Sequence, residues 1–165
     1  GQHLIDMGHI NIACITGWLV TDDGNQRHQG FLSALNDNNI NIPEELIFKG
    51  DYTYRKGYEG ALSLLKQDLP FTALFCGNDQ SAMSAIAAIT NKGFEVPNDI
   101  SVIGYDDMNI ASYTSPPLTT VRIPFNRMAI SATRRLLNLC YNLELDIDYD
   151  FPIQLIERSS VKNMG

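Results

Sequence analysis

FTALFCGND, residues Phe71–Asp79, is a short apolar run that ends in a glycine and two polar residues. Such a run is typical of a strand that is buried on both faces of a sheet. Ile100–Gly104 repeats the pattern and leads into Tyr105-Asp106-Asp107. The intervening Gln80–Asn91 consists of strong helix formers, and the following Gly93 suits a helix end. This order predicts a right-handed βαβ unit with parallel strands.

Two further strands and two further helices are predicted before this unit. Ile10–Thr16 and Leu46–Phe48 have the apolar composition of strands, and a glycine follows each of them closely. Asn25–Asn38 and Arg55–Gln67 place apolar residues at helical spacing. The sequence therefore predicts the α/β fold class, with a parallel sheet flanked by helices on both faces.

The pattern changes after Pro116-Pro117. Leu118–Ile123 is predicted to be extended, and Pro124 can start a helix. Phe125–Cys140 then has the spacing of a long amphipathic helix, and Ile153–Ile156 is predicted to form a late strand. We therefore expect the chain to contain a second, smaller unit after the parallel sheet.

We place the boundary between the two units after residue 121, which gives residues 1–121 and residues 122–165. The apolar face of the long helix, over residues 125–143, needs a partner, because a bare apolar face promotes association. We expect this face to dock elsewhere on the first unit or to pair with another copy of the chain, and a homodimer is predicted.

Composition and charge exclude several classes of protein. The 165 residues are 44% hydrophobic and 19% charged, as expected for one folded domain rather than a disordered chain. Lys and Arg number 12 and Asp and Glu number 19, so the formal net charge is −7. Because a chain that neutralises DNA phosphates is usually basic, we expect neither direct DNA binding nor attraction to an acidic membrane. No apolar run is long enough for a transmembrane helix.

The cysteines indicate a reducing compartment. Cys14, Cys76 and Cys140 are scattered along the chain and form no C-x-x-C pair. We expect buried free thiols in a cytoplasmic protein. No cysteine–histidine cluster has the spacing of metal ligands, so we expect no metal and no other cofactor.

Catalytic arrangements are equally absent from the sequence. It contains no G-x-S-x-G, P-loop or G-x-G-x-x-G motif. Asp106 and Asp107 could hold Mg²⁺ as in a receiver or hydrolase site, but no strand-end lysine and no nucleophile–base pair accompanies them. We therefore expect a binding module rather than an enzyme, and we assign no catalytic residue.

Each predicted strand is followed by polar residues that could bind a ligand. Arg27 follows the first strand, Tyr52 the second, Asn78 the third and Asp106 the fourth. Because the carboxyl ends of parallel strands share one edge of the sheet, these side chains are expected to converge there. A guanidinium, an aromatic face, an amide and a carboxylate can together hold a small polar ring.

Every one of these residues also has a structural explanation. Asn78 could cap the following helix, and Asp106 could be a turn residue. Arg27 could be a solvated charge, and Tyr52 could be a packing residue at the rim. The prediction of a ligand site therefore depends on the convergence of four such loops rather than on any single residue.

Five stretches of the chain stand out as motifs, in order and at natural spacing: HLIDMGH (3–9), QRHQGF (26–31), FTALFCGND (71–79), VPNDISVIGYDD (96–107) and PPLTTV (116–121). Together they resemble the effector-binding core of the lactose/galactose-repressor (LacI/GalR) family of bacterial transcription regulators. The resemblance runs over nearly the whole chain.

The resemblance implies roles for particular residues. Arg27 matches the effector-contacting arginine of R-x-x-G, Asn78 the asparagine of N-D, and Asp106 the first aspartate of G-[FY]-D-D. Tyr52 falls where an aromatic residue often stacks on the ligand. Phe125 lies on a crossing segment that also lines the ligand cleft.

One position departs from the family pattern. Ile123 lies on the same crossing segment, and some members of the family have a polar side chain there. An apolar isoleucine leaves that ligand contact in doubt.

The resemblance also implies a fold and a function for the intact protein. The expected fold has two lobes, like a periplasmic sugar-binding protein, and this chain matches the C-terminal lobe plus a returning segment of the other lobe. The expected effector is a sugar or glycoside, with a purine as the alternative. Operator DNA would be read only by an N-terminal helix-turn-helix headpiece that this sequence lacks, which agrees with its acidic charge. The rival interpretation is a lobe of a periplasmic sugar-binding transport protein.

Overall fold

A four-stranded parallel sheet forms the centre of the molecule and confirms the predicted α/β fold class. The computed structural model describes all residues 1–165. The strands are β1 (Ile12–Ile15), β2 (Ile47–Phe48), β3 (Ala73–Cys76) and β4 (Ser101–Ile103). Their order in the sheet is β2-β1-β3-β4, so the order reverses between β1 and β3. In open parallel sheets, ligands bind at such a reversal, beyond the carboxyl ends of the strands.

Helices cover the sheet and continue past it. The five α-helices are α1 (Gln2–Asp6), α2 (Asp22–Asp37), α3 (Tyr54–Leu64), α4 (Asp79–Asn91) and α5 (Phe125–Tyr141). Single 3₁₀ turns cover Glu44–Leu46 and Asn109–Tyr113. The short α1 was not predicted, since five residues are too few to show a helical repeat. None of the helices has both the length and the apolar character that crossing a membrane requires.

Helix α2 begins three residues earlier than its apolar spacing predicts. The Thr21 hydroxyl accepts a hydrogen bond from the Gly24 amide at 3.3 Å and so caps the helix. Asp22 and Asp23 then occupy the first turn, where the helix dipole favours negative charge. Arg27 consequently lies in the second turn of α2 rather than in the first.

Both faces of the sheet are buried, as parallel strands require. Every residue of β1, β3 and β4 is buried. On one face, α3 and α4 contribute Leu64 and Ile89 to the larger core. On the other face, Phe31 of α2 stacks on Phe75 of β3 with ring centroids 4.7 Å apart. Helices therefore pack against the sheet from both sides.

The second part of the chain begins with β5 (Thr120–Arg122), which pairs antiparallel with β6 (Gln154–Ile156). Helix α5 lies between them in the chain, as predicted. Its apolar side chains remain accessible, and the exposed fractions of Leu136 and Leu139 are 60% and 76%. Helix α5 therefore does not bury its apolar face on the first unit.

The prediction of buried thiols is confirmed for two of the three cysteines. Cys14 and Cys76 lie in buried strands, whereas Cys140 on α5 is exposed. The prediction for Cys140 was wrong because it assumed that the apolar face of α5 would be covered.

The last residues of the chain return to the parallel sheet. The Ser160 carbonyl accepts from the Val102 amide at 2.7 Å, and the Ser160 hydroxyl donates to the Val102 carbonyl at 2.6 Å. Lys162 donates its amide to the Ser101 hydroxyl at 2.9 Å. The division after residue 121 stays a prediction for the intact protein, whereas these contacts place residues 160–162 against β4 of the first unit.

Two glycines provide a matched test of helix packing. A Cβ atom at Gly57 of α3 would lie 2.3 Å from Ser84 Oγ and 2.4 Å from the Ser81 carbonyl oxygen of α4. A Cβ atom at Gly30 of α2 would meet nothing within 4 Å. We predict that Gly57→Ala lowers the free energy of unfolding by about 1–3 kcal/mol because it overpacks the α3–α4 contact. Gly30→Ala should raise it by about 0.5–1 kcal/mol.

Urea denaturation of the two variants and the parent measures both effects. Equal changes in both variants would contradict the close approach of α3 to α4.

Candidate functional site

The ion pair between Arg27 and Asp106 is the centre of the candidate site. Arg27 projects from α2, and its Nη1 donates to Asp106 Oδ1 at 3.0 Å and to the Gly77 carbonyl at 2.9 Å. Gly77 and Asp106 follow β3 and β4, so one guanidinium joins the ends of two neighbouring strands. The exposed fractions of the two charged side chains are 16% and 18%. The pair is thus largely shielded from water, where charge-assisted hydrogen bonds are strong.

Two tyrosine rings lie beside the same guanidinium. The Arg27 Cζ lies 4.3 Å from the ring centroid of Tyr105 and 5.4 Å from that of Tyr52. Both distances are within the range of cation–π attraction. The Tyr52 hydroxyl donates to Asp23 Oδ2 at 2.9 Å, which fixes the loop after β2 against α2. The Arg27 side chain is therefore held by a carboxylate, a carbonyl and aromatic faces.

Asn78 completes this group, and its side chain already has protein partners. Its Oδ1 accepts from the Ser81 amide at 3.0 Å and so caps α4. Its Nδ2 donates to the Tyr52 carbonyl at 3.0 Å. The structural explanation for Asn78 is thus observed, and a ligand could contact its amide only by replacing the bond to Tyr52. We call Arg27, Tyr52, Asn78, Tyr105 and Asp106 the strand-end cluster.

Phe125 lies across an open cavity from this cluster. The cavity has a volume of about 730 Å³ and is bordered by Arg27 and Tyr105 on one side and by Phe125 on α5. Tyr52, Asn78 and Asp106 are not part of its lining. The structure therefore brings together four of the five predicted residues, which are Arg27, Tyr52, Asn78 and Asp106. The fifth, Phe125, lies on the facing wall of the cavity. The remaining lining residues are Gly1, Asp23, Gln26, Gly30, Phe31, Phe75, Ile103, Val121, Ile123, Met128 and Ile153.

Burial shifts the proton affinity of the cluster. Desolvation raises the pKa of Asp106, although the neighbouring Arg27 opposes the shift. Burial and the hydrogen bond to Asp23 together raise the pKa of Tyr52 to about 12. The hydroxyls of Thr21 and Tyr52 lower the pKa of Asp23. Burial thus favours the protonated forms of Tyr52 and Asp106, whereas hydrogen bonds favour the charged form of Asp23.

The loop after β4 has an unusual backbone. Asp106 and Asp107 have φ angles of +113° and +53°, and Tyr52 after β2 has a φ of +71°. Non-glycine residues adopt positive φ rarely, and Asn and Asp do so more readily than most. The Asp106 backbone forms a parallel β-bridge with Arg122 rather than a turn, and its side chain pairs with Arg27.

Asp79 is a buried carboxylate beneath the site. Its Oδ1 accepts from the Thr120 hydroxyl at 2.5 Å, and its Oδ2 accepts from the Met108 amide at 2.7 Å. Desolvation raises the pKa of Asp79 to about 6, against the effect of these two hydrogen bonds. Asp79 therefore joins the start of α4 to the loop after β4 and to β5.

The strand-end cluster presents hydrogen-bonding groups and aromatic faces of the kind that polar rings require. Its donors, acceptors and aromatic faces converge on one guanidinium, and no serine or cysteine nucleophile stands beside a base within the cluster. No group of three or more His, Cys, Asp and Glu side chains could hold a metal ion.

Sequence reasoning missed Tyr105 as a member of the cluster. It stands immediately before Asp106 in the quoted G-[FY]-D-D motif, so the motif was a usable signal. Asp23 and Gln26 also line the cavity, and they lie four residues and one residue before Arg27 on α2. The four-residue spacing places Asp23 on the same helix face as Arg27, whereas spacing gave no signal for Gln26.

Asp79 gives the site a testable pH dependence. Because the pKa of Asp79 is raised to about 6 in the folded state, the folded protein takes up this proton more readily than the unfolded chain does. Lowering the pH from 7 to 5 should therefore stabilise the parent relative to Asp79→Asn by about 1 kcal/mol. Urea denaturation of both proteins at the two pH values measures the difference, and an identical pH dependence would contradict the raised pKa.

The chain is similar to known transcription regulators over nearly its whole length. The family model for the periplasmic binding protein-like domain matches residues 2–161. The HTH-type transcriptional repressor PurR of Photorhabdus laumondii is 43% identical over 162 residues, which are 98% of this chain and 48% of the relative. The chain thus spans about half the length of the curated relatives it matches.

Solved structures of transcription regulators are also similar to this chain. A sugar-binding transcriptional regulator of the LacI family from Escherichia coli, complexed with phosphate, superposes with a TM-score of 0.90 at 35% identity. The match covers 98% of this chain and 58% of that one. The lac repressor dimer bound to operator and the anti-inducer ONPF gives a TM-score of 0.86 at 31% identity, covering 98% of this chain and 56% of that one.

The curated relatives are repressors, in agreement with the expectation that the chain is not an enzyme. The chain belongs to the periplasmic binding protein-like family and, within it, to the effector-binding cores of LacI/GalR-type regulators.

Proposed function

We propose that this chain is the effector-sensing part of a DNA-binding transcriptional repressor. The observation that carries the proposal is the shielded pair of Arg27 and Asp106, which lies between tyrosine rings at the edge of an open cavity. A ligand that offers both a donor and an acceptor can replace the hydrogen bond between Arg27 and Asp106 with one bond to each side chain. The similarity to repressors supports this function over that of a transport protein.

The chemistry of the site favours a sugar or glycoside as the effector. A carboxylate such as that of Asp106 can accept hydrogen bonds from two vicinal hydroxyls, and tyrosine faces can pack on the apolar face of a sugar ring. The sugar-binding regulator among the matched structures supports the same class. A purine is the alternative, because its ring N–H groups could donate to Asp106 and its flat ring could stack on Tyr52.

The mechanism that we propose is a shift between lobe orientations. An effector bound between this lobe and a second lobe stabilises the lobe orientation for which it has the higher affinity. The size of the shift depends on the difference between its affinities for the two orientations. In a dimer, that orientation sets the spacing of two DNA-binding headpieces relative to the operator half-sites. Operator binding then changes without any contact between this chain and DNA, as its net charge of −7 suggests.

We further propose a cytoplasmic location, because a regulator must meet its operator there and two of the cysteines are buried free thiols. No membrane partner is proposed.

Calorimetric titration of the intact regulator with a panel of sugars, glycosides and nucleobases tests the site. We predict that Asp106→Ala and Arg27→Ala each weaken binding of the active compound by about tenfold to a hundredfold, since each removes a charge-assisted hydrogen bond. Glu59→Gln is the control, because Glu59 forms exposed ion pairs with Arg55 and Lys56 on α3, away from the strand-end cluster.

Unchanged affinity in Asp106→Ala would show that the binding site lies elsewhere. A large fall in the melting temperature of Arg27→Ala, with little change in affinity, would support the purely structural explanation for Arg27.

The exposed face of α5 supports self-association. The side chains of Met128, Leu136 and Leu139 are accessible over 40%, 60% and 76% of their surface. An apolar face of this kind promotes association. We predict a homodimer in sedimentation velocity at micromolar concentration, and a monomer under those conditions would contradict the prediction.

A further inference from the structure

Asp107 holds the two segments of chain that connect the parallel sheet with the second part of the molecule. Arg122 Nε donates to Asp107 Oδ2 at 2.6 Å, and Arg158 Nη2 donates to Asp107 Oδ1 at 2.7 Å. Arg122 is the last residue of β5, which leaves the sheet, and Arg158 follows β6, which returns to it. One carboxylate therefore binds both crossing segments. We call Asp107, Arg122 and Arg158 the crossing clamp.

The Asp107–Arg158 arm of the crossing clamp is shielded from water, whereas the Arg122 arm is half exposed. The exposed fractions of the Asp107, Arg158 and Arg122 side chains are 7%, 17% and 51%. Arg158 is fixed further by its Nη1, which donates to the Leu118 carbonyl at 2.7 Å. Burial would raise the pKa of Asp107, but the two arginines outweigh it and lower the pKa. Breaking a shielded pair leaves an uncompensated charge, so the clamp strongly prefers one geometry.

The clamp adjoins the proposed effector residue through the backbone. Asp106 pairs with Arg27, and the next residue in the chain carries the carboxylate of the clamp. The Asp106 amide donates to the Val121 carbonyl of β5 at 2.8 Å, so the same loop is also bonded to a crossing strand. Both aspartates have positive φ, which leaves few alternative backbone conformations. A change in the position of Asp106 must therefore move Asp107 or strain the loop.

We propose that Asp107 is the positioning residue through which the state of the Arg27–Asp106 pair reaches the two crossing strands. The inference rests on the proposed function, in which an effector competes for that pair. When Asp106 changes partner, the loop moves the Asp107 carboxylate, and Arg122 and Arg158 move with it. The orientation of β5 and β6 relative to the parallel sheet follows. Asp107 itself contacts no effector.

Amide hydrogen exchange in the full chain tests this coupling without any effector. Exchange of the β5 and β6 amides is measured by NMR in the parent, Arg27→Met, Asp107→Asn and the double variant. Arg27→Met removes the partner of Asp106 without altering the loop itself, so any effect on β5 and β6 must be transmitted. Glu59→Gln, which breaks only the exposed pairs on α3, is the control.

We expect Arg27→Met and Asp107→Asn each to speed exchange in β5 and β6 by about tenfold, as loss of a charge-assisted hydrogen bond implies. The effect of Arg27→Met should largely disappear in the Asp107→Asn background, because the crossing clamp is already open there. The proposal would be overturned if the exchange rate in the double variant rose by the product of the two single-variant factors. It would also be overturned if Arg27→Met left the exchange rates of β5 and β6 unchanged.

A second variant keeps the test valid if Asp107→Asn does not fold. Arg158→Gln removes one arm of the clamp and retains a side chain that can donate to the Leu118 carbonyl, and the same pattern of non-additivity with Arg27→Met is expected. Failure of the coupling and failure of effector binding remain distinguishable. The exchange experiment needs no effector, whereas the calorimetric titration does not depend on Asp107.

Discussion

The common direction of the four central strands is the constraint on which the candidate site depends. Helical crossovers between successive strands make the strands parallel, and parallel strands bring their carboxyl ends to one edge. Arg27 reaches that edge from α2, whereas Asp106 follows β4 directly. Residues that are 79 positions apart in the chain thus form an ion pair at 3.0 Å.

Charged groups at this edge of the sheet are shielded from water. Each of its charged groups has a partner, because an unpaired charge in this environment is costly. Asp106 has Arg27, Asp107 has two arginines, and Asp79 accepts from the Thr120 hydroxyl and the Met108 amide. A ligand can displace one of these partners only if it offers equivalent hydrogen bonds. The proposed selectivity for a polar ring follows from this requirement.

The loop after β4 places two successive aspartates against different neighbours. Asp106 belongs to the strand-end cluster, and Asp107 belongs to the crossing clamp. Their positive φ angles reduce the freedom of the backbone between them. Under the proposed function, a signal from the effector needs to pass through only one peptide unit to reach β5 and β6.

Apolar periodicity and turn residues in the sequence were enough to predict the strands, the helices after α1 and the convergence of Arg27 with Asp106. These features depend on local spacing and on the rule that parallel strands end at one edge. Family resemblance added the expected role of each residue. The stacking of Tyr105 on Arg27, the hydrogen bond from Asn78 to the Tyr52 carbonyl and the link from Asp107 to Arg158 came only from the folded arrangement. Asp107 and Arg158 are 51 positions apart in the chain. A local sequence pattern cannot show which charged side chain becomes buried or which opposite charge lies beside it, because both depend on how distant segments pack.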